Sequence, residues 1–123
     1  MPELKILIED LMPPLSGKIA KIIHLDGQLD TGALEMKKII FDDLLNKYPQ
    51  NLLLLLDFEK LEYINSRGIG FLAECNEKLL KGNGKMVIAR PTPNVDDILK
   101  VVGLENFIKS FATIEEAKKE LTA

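Results

Sequence analysis

One cysteine and one histidine are all that 123 residues offer for thiol or imidazole chemistry. Cys75 has no second thiol to pair with, so an intrachain disulfide and a cysteine-based metal cluster are both excluded. It falls in a helix-patterned segment with no histidine close by in sequence, and reads as an inert, buried thiol. His24 lies in an alternating, strand-like segment; alone it cannot build a zinc site, and no serine or cysteine is placed to complete a triad with it. It reads as structural. A basic excess is also missing: the net charge is −3, which leaves no electrostatic footprint for nucleic acid or for an anionic membrane. No apolar run approaches the ~20 residues that span a bilayer. Met1-Pro2-Glu3-Leu4 lacks the basic and apolar regions of a signal peptide, so the expected location is the cytoplasm. There is no paired acid/base set, and Gly68-Ile69-Gly70 lacks the rest of any nucleotide-binding pattern. The expectation is therefore a protein with no catalytic residues, no metal and no cofactor.

What is present is concentrated in residues 52–70, LLLLLDFEKLEYINSRGIG. Five consecutive leucines ending in Asp57 read as a strand buried on both faces. Asn65-Ser66-Arg67 then stands directly before two glycines and a helical pattern. Ser66 is thereby placed at a helix N-terminus, where free backbone N–H groups and the macrodipole favour negative charge. A serine there is either a plain cap or a phosphorylation switch. Asp57, at the expected strand end, reads as a turn-forming or capping residue.

Around this stretch, residues 3–11 (ELKILIEDL) and 18–26 (KIAKIIHLD) read as two strands. The sequence Met12-Pro13-Pro14-Leu15-Ser16-Gly17 between them cannot be helical, so the pair is a strand–turn–strand unit. Gly27-Gln28-Leu29-Asp30-Thr31 turns into a first helix running to about Lys47, with Asp30 or Thr31 as its N-cap. Pro49-Gln50-Asn51 leads into the leucine strand. A second helix begins after Ser66 and stops at Gly82-Asn83-Gly84. Residues 85–90 form a short strand, and Val95, Ile98, Leu99 and Val102 mark a third helix ended by Gly103. Residues 107–111 read as a last strand, and Thr113 with Glu116 forms a capping box for a final helix ending near Leu121. Strands alternating with helices, without linker or repeat, predict one α/β domain over residues 1–123: a mixed, mostly parallel sheet covered by about four helices and opened by an N-terminal hairpin.

In this order the residues resemble the STAS domain, shared by sulfate transporters and anti-sigma factor antagonists, and the chain is most similar to the stand-alone bacterial antagonists. Gly27-Gln28-Leu29-Asp30 resembles the family's G-E-L-D turn. The leucine strand followed by Ile64-Asn65-Ser66-Arg67-Gly68-Ile69-Gly70 resembles its strand and D-S-x-G-[LI]-G motif. Leu99-Lys100-Val101-Val102-Gly103-Leu104 with Phe107 resembles its late helix, and Glu115-Glu116-Ala117 its last one. The resemblance implies a cytoplasmic protein that binds an anti-sigma factor and so releases a sigma factor. It implies that Ser66 is the phosphoacceptor of that anti-sigma factor, itself a serine kinase, and that a PP2C-type phosphatase resets the switch. Asp30, Asn65, Arg67 and Gly68 are implied as partner-binding. Asn65 stands where the family usually has Asp, and Arg67 adds a positive charge, so the motif is less acidic than the family pattern.

Two other readings compete. A non-phosphorylated scaffold of the same fold within a larger signalling assembly is the alternative that Asn65 and Arg67 keep open. A receiver domain with Asp57 as phosphoacceptor needs a helix directly after the first strand, which Pro13-Pro14 and Ser16-Gly17 forbid. Arg90 and Thr92, at the end of a parallel strand, are candidates for the same rim as Ser66.

Overall fold

The computed structural model describes residues 3–11 and 17–123. Strand β1 (Lys5–Asp10) and β2 (Ile19–Leu29) lead into α1 (Thr31–Lys47), and β3 (Leu52–Ile64) leads into α2 (Ser66–Lys81). Then come β4 (Lys85–Ala89), α3 (Pro93–Val102), a 3₁₀ turn (Leu104–Asn106), β5 (Ser110–Phe111) and α4 (Ile114–Leu121). The strands form one sheet in the order β1-β2-β3-β4-β5. β1 runs antiparallel to β2, and every other pairing is parallel. This is the expected mixed α/β sheet with its N-terminal hairpin; of the predicted turn at residues 12–17, residues 12–16 lie outside the described residues and Gly17 takes φ 75°.

The five leucines are explained by covering on both sides. Leu52, Leu54 and Leu56 point into a core shared with Phe41, Leu72 and Leu99, from α1, α2 and α3. Leu53 and Leu55 point the other way and join Ile22, Val87, Ala117 and Leu121 beneath α4. A strand buried on both faces has no reason to alternate, and this one does not. On the helix-rich side Phe41 and Phe71 meet edge to face, with centroids 5.1 Å apart, and fix α1 against α2.

Two elements are longer than the sequence suggested. β3 does not end at Asp57 but continues to Ile64, and β2 continues through Gly27 to Leu29. β4 ends opposite Asp57, so the second half of β3 pairs with β2 alone. That two-stranded extension carries register shifts between His24 and Asp26 and between Gly27 and Gln28. Gly27 is thus a strand residue rather than part of a turn. Its φ of 123° suits glycine, and a Cβ there would stand 2.4 Å from the Glu3 carbonyl oxygen. The last strand, in contrast, is shorter than read. Gly103 adopts φ 73° and starts the 3₁₀ turn, which leaves Phe107 outside the sheet and 76% exposed.

The helix starts follow cap chemistry. Asp30 caps α1, accepting the Ala33 N–H at 3.0 Å. Thr92 caps α3 ahead of Pro93. Thr113 accepts the Glu116 N–H at 3.1 Å, and the Glu116 carboxylate accepts the Thr113 hydroxyl at 3.0 Å. Burial pushes the Cys75 thiol up to about 12, which makes it the inert group expected.

Candidate functional site

Leu29 at the end of β2 pairs with Ile64 at the end of β3, and the Asn65 N–H donates to the Leu29 carbonyl at 3.3 Å. The chain then enters α1 from one strand end and α2 from the next, so both helices begin side by side at one sheet edge. This pairing brings Asp30 to the same corner as Asn65, Ser66 and Arg67, residues far apart in sequence.

At this corner the cap is Asn65, not Ser66. Its side-chain carbonyl accepts the Gly68 N–H at 3.0 Å, with an extended backbone at φ −106°. Ser66 is the first residue of α2 and is exposed, its hydroxyl uncommitted to the cap. An amide side chain performs this capping without any charge, which is what Asn in place of Asp retains. Ser66 and Arg67 line a groove of about 460 Å³ whose other wall carries Leu34, Glu35 and Lys38 of α1. Phe71 and Glu74 of α2 complete it. Two cations and two carboxylates therefore line the groove together with the serine, beside the apolar Leu34 and Phe71.

Gly68, read from sequence with the partner-facing residues, is buried. A Cβ on it would lie 2.4 Å from the Leu29 carbonyl oxygen and 2.9 Å from Ile64 Cγ1. Its place is set by the close approach of α2 to the strand ends. The accessible face of the motif is Ser66 and Arg67, with Asn65 half-buried. Asp30 lines a neighbouring depression of about 360 Å³ with Leu4, Gln28 and Met36.

Arg90 and Thr92 do not reach this groove. The Thr92 hydroxyl donates to the Leu61 carbonyl at 3.0 Å while accepting the Val95 N–H at 3.4 Å. Arg90 belongs to a second polar cluster, which the sequence reading missed. Its Nε and Nη2 donate to the two oxygens of Asp57 at 3.1 and 2.7 Å, and its Nη1 donates to Glu59 at 3.0 Å. On the other side of Asp57, His24 Nδ1 lies 2.7 Å from Oδ2, and His24 Nε2 lies 2.8 Å from Glu9 Oε2. Asp57 does not end its strand, although its Oδ1 accepts the Glu59 N–H at 3.2 Å, the local bond of an Asx-type turn. It is a strand residue, 5% exposed, at the centre of a five-residue network joining β1, β2, β3 and the end of β4. Arg90 takes φ 55° to reach it, a left-handed conformation uncommon for arginine.

The network sets its own charge states. Burial disfavours the Asp57 anion, but the Arg90 guanidinium, His24 and the Glu59 N–H together hold its carboxyl below the usual range. Partial burial likewise opposes charge on His24, yet its bonds to Glu9 and Asp57 outweigh that and raise its pKa. Both ring nitrogens face carboxylates, and only imidazolium can donate from both. His24 and Asp57 each interrupt an apolar strand, a signal visible in the sequence. That they face each other depends on the β2–β3 register.

The STAS domain family matches residues 14–117. The chain belongs to that family. Among similar proteins is a candidate anti-sigma factor antagonist of Thermotoga neapolitana, 29% identical over 85 residues, which are 69% of this chain and 74% of the relative. The fold is shared with an anti-sigma factor antagonist from Mycobacterium paratuberculosis at 19% identity and TM-score 0.81, over 98% of this chain and 96% of that one. It is shared too with phosphorylated Bacillus SpoIIAA at 21% identity and TM-score 0.65, over 94% and 98% of the two chains. Ser66 and Asp57 both lie within the matched residues. Among the described residues, no helix is long and apolar enough to cross a membrane.

Proposed function

We propose that this STAS domain is an anti-sigma factor antagonist switched by phosphorylation of Ser66. The observation that carries this reading is the exposed hydroxyl on the first turn of a 16-residue helix, left free because Asn65 takes the cap. The unphosphorylated face, with Asp30, Asn65 and Arg67 at one corner, binds the anti-sigma factor and frees the sigma factor. That partner is the serine kinase that modifies Ser66, and a PP2C-type phosphatase removes the group. The domain performs no chemistry of its own.

The electrostatics of the corner favour such a switch. A phosphate adds about −1.5 to −2 charges and three acceptor oxygens. At the start of α2 it meets the macrodipole, and Lys38 and Arg67 line the same groove, so the fold tolerates the charge. A docked surface fitted to a neutral hydroxyl does not, because the dianion must be desolvated near Glu35 and Glu74. A loss of ~3 kcal/mol weakens binding roughly a hundredfold, enough to exchange partners.

The test is incubation with ATP and the cognate anti-sigma kinase. Wild-type protein should gain the mass of one phosphate on Ser66, and Ser66→Ala none. Ser66→Ala should still bind the anti-sigma factor, whereas Ser66→Asp should bind about a hundredfold more weakly. Equal binding by wild type and Ser66→Asp, with no phosphate taken up, would sink the proposal.

A further inference from the structure

The two edges of the sheet are unlike. β5, at one edge, is two residues long, whereas β1 presents six residues that, among the described residues, pair on one side only, with β2. Such a strand leaves alternate N–H and C=O groups directed outward, a template for another strand. Protected edges often carry a bulge, a proline or charged side chains, and charges of both signs can be neutralised by a second copy. β1 has no proline, its pairing with β2 shows no register shift, and its charges are of both signs. In its middle Leu7 is 59% exposed.

We propose that β1 pairs antiparallel with β1 of a second copy of this chain, about a two-fold axis passing through Leu7. The geometry selects both the symmetry and the register. Laying two identical edges side by side and antiparallel requires the axis to run along the sheet normal. That operation keeps each face of the sheet on the same side, so odd-numbered residues of β1 oppose odd, and even oppose even. An axis at Leu7 sets Lys5 opposite the partner's Glu9, Ile6 opposite the partner's Ile8 and Leu7 opposite its twin. Over Lys5–Glu9 each opposed pair is then oppositely charged or wholly apolar, while Asp10 falls opposite the partner's Leu4 at the margin. An axis at Ile8 instead sets Leu7 against Glu9 and Ile6 against Asp10. An axis at Ile6 sets Lys5 against Leu7 and Glu3 against Glu9. Of the three, only the Leu7-centred register is complementary across the five central residues, Lys5 to Glu9. Glu9 gives one oxygen to His24 Nε2, which leaves the other for the partner's Lys5. The exposed Leu7 pair is covered in the same step, and the two sheets become one.

The contact is confined to one short strand per copy, so it falls below the ~1,200 Å² of a standard interface and the dimer is weak. Sedimentation velocity of the full chain, over roughly 1 μM to 1 mM, should show a concentration-dependent shift from monomer to dimer. Lys5→Glu and Glu9→Lys each bring like charges face to face, and each should raise the dimer dissociation constant by about tenfold or more. Mixed together, the two variants present opposite charges at both positions and should associate more tightly than either alone. Leu7→Lys, which opposes two lysines on the axis, should abolish the dimer and serves if Glu9→Lys fails to fold. Circular dichroism at each concentration checks that the variants are native. A wild-type chain that remains monomeric throughout overturns the proposal, as does a dimer indifferent to Lys5→Glu and Leu7→Lys. So does a mixture of the two charge variants that associates no better than its components.

Discussion

The Ser66 corner and the Asp57 network lie on opposite sides of one sheet and are built on opposite terms. Ser66 follows β3 on the side covered by α1, α2 and α3. His24 and Asp57 continue the alternation of Ile22 and Leu55 on the side that α4 covers. The network is richer in charge, hydrogen bonds and pKa shifts, yet each carboxylate, guanidinium and imidazole in it meets a named partner. Ser66 has no such set, and its hydroxyl is what remains after Asn65 has satisfied the helix. Perturbed ionisation marks functional sites and structural ion-pair networks alike. Here the satisfied cluster ties strands together, while the group left over is the one placed to react or be recognised.

The largest expected effect falls on the network. Arg90→Ala should cost about 3 kcal/mol of folding stability in denaturant melts, because it leaves the Asp57 carboxylate buried with one partner fewer. Asp57→Leu should cost far less, since removing a buried charge also removes its desolvation penalty. If both variants melt alike, the network does not do what its geometry implies.

At the Ser66 corner the backbone matters more than the hydroxyl. Gly68→Ala should destabilise by roughly 1–3 kcal/mol, because the new Cβ meets the Leu29 carbonyl at 2.4 Å. Asn65→Ala should cost about 1 kcal/mol through the lost cap, and Asn65→Asp should restore it. Ser66→Ala should stay within about 0.5 kcal/mol of wild type. A larger loss for Ser66→Ala than for Asn65→Ala would mean that the serine, not the asparagine, holds the helix.

The smallest effect is a dependence on pH. The pKa of His24 is raised from its ordinary 6.5, so its contribution is fully present below that value and is lost as pH rises through the higher native one. The pKa of Asp57 is lowered from 3.8, so its contribution is present above that value and is lost as pH falls through the lower native one. Thermal midpoints should therefore fall on raising the pH from about 6.5 into the alkaline range, and His24→Gln should flatten that fall. NMR titration of the imidazole above 6.5 would show the cause directly.

Much of the fold was legible because its signals are local. Asp30 and Thr113 cap helices where short polar side chains precede helical patterns, and Gly103 ends one in the left-handed conformation. The leucine run marked a central strand because its burial is uniform. The place of Ser66 at a helix start was legible in the same way. The lengths of β2 and β3 were not, since their far halves are held by each other across register shifts rather than by their own composition. Phe107 looked like strand and is not, because its N–H donates back to the Leu104 carbonyl of the 3₁₀ turn at 2.9 Å.

Local pattern therefore determined the alternation of strands and helices, the caps and the serine at the mouth of α2. Short-range hydrogen bonds and the spacing of apolar residues suffice for these. The tertiary structure decided which residues meet. Pairing of Leu29 with Ile64 brought Asp30 and Asn65 to one corner, and pairing of His24 with Asp57, with Arg90 arriving from β4, turned three unremarkable residues into one ionic unit. Contacts between distant residues depend on strand order and register, which are properties of the whole sheet and of no single segment.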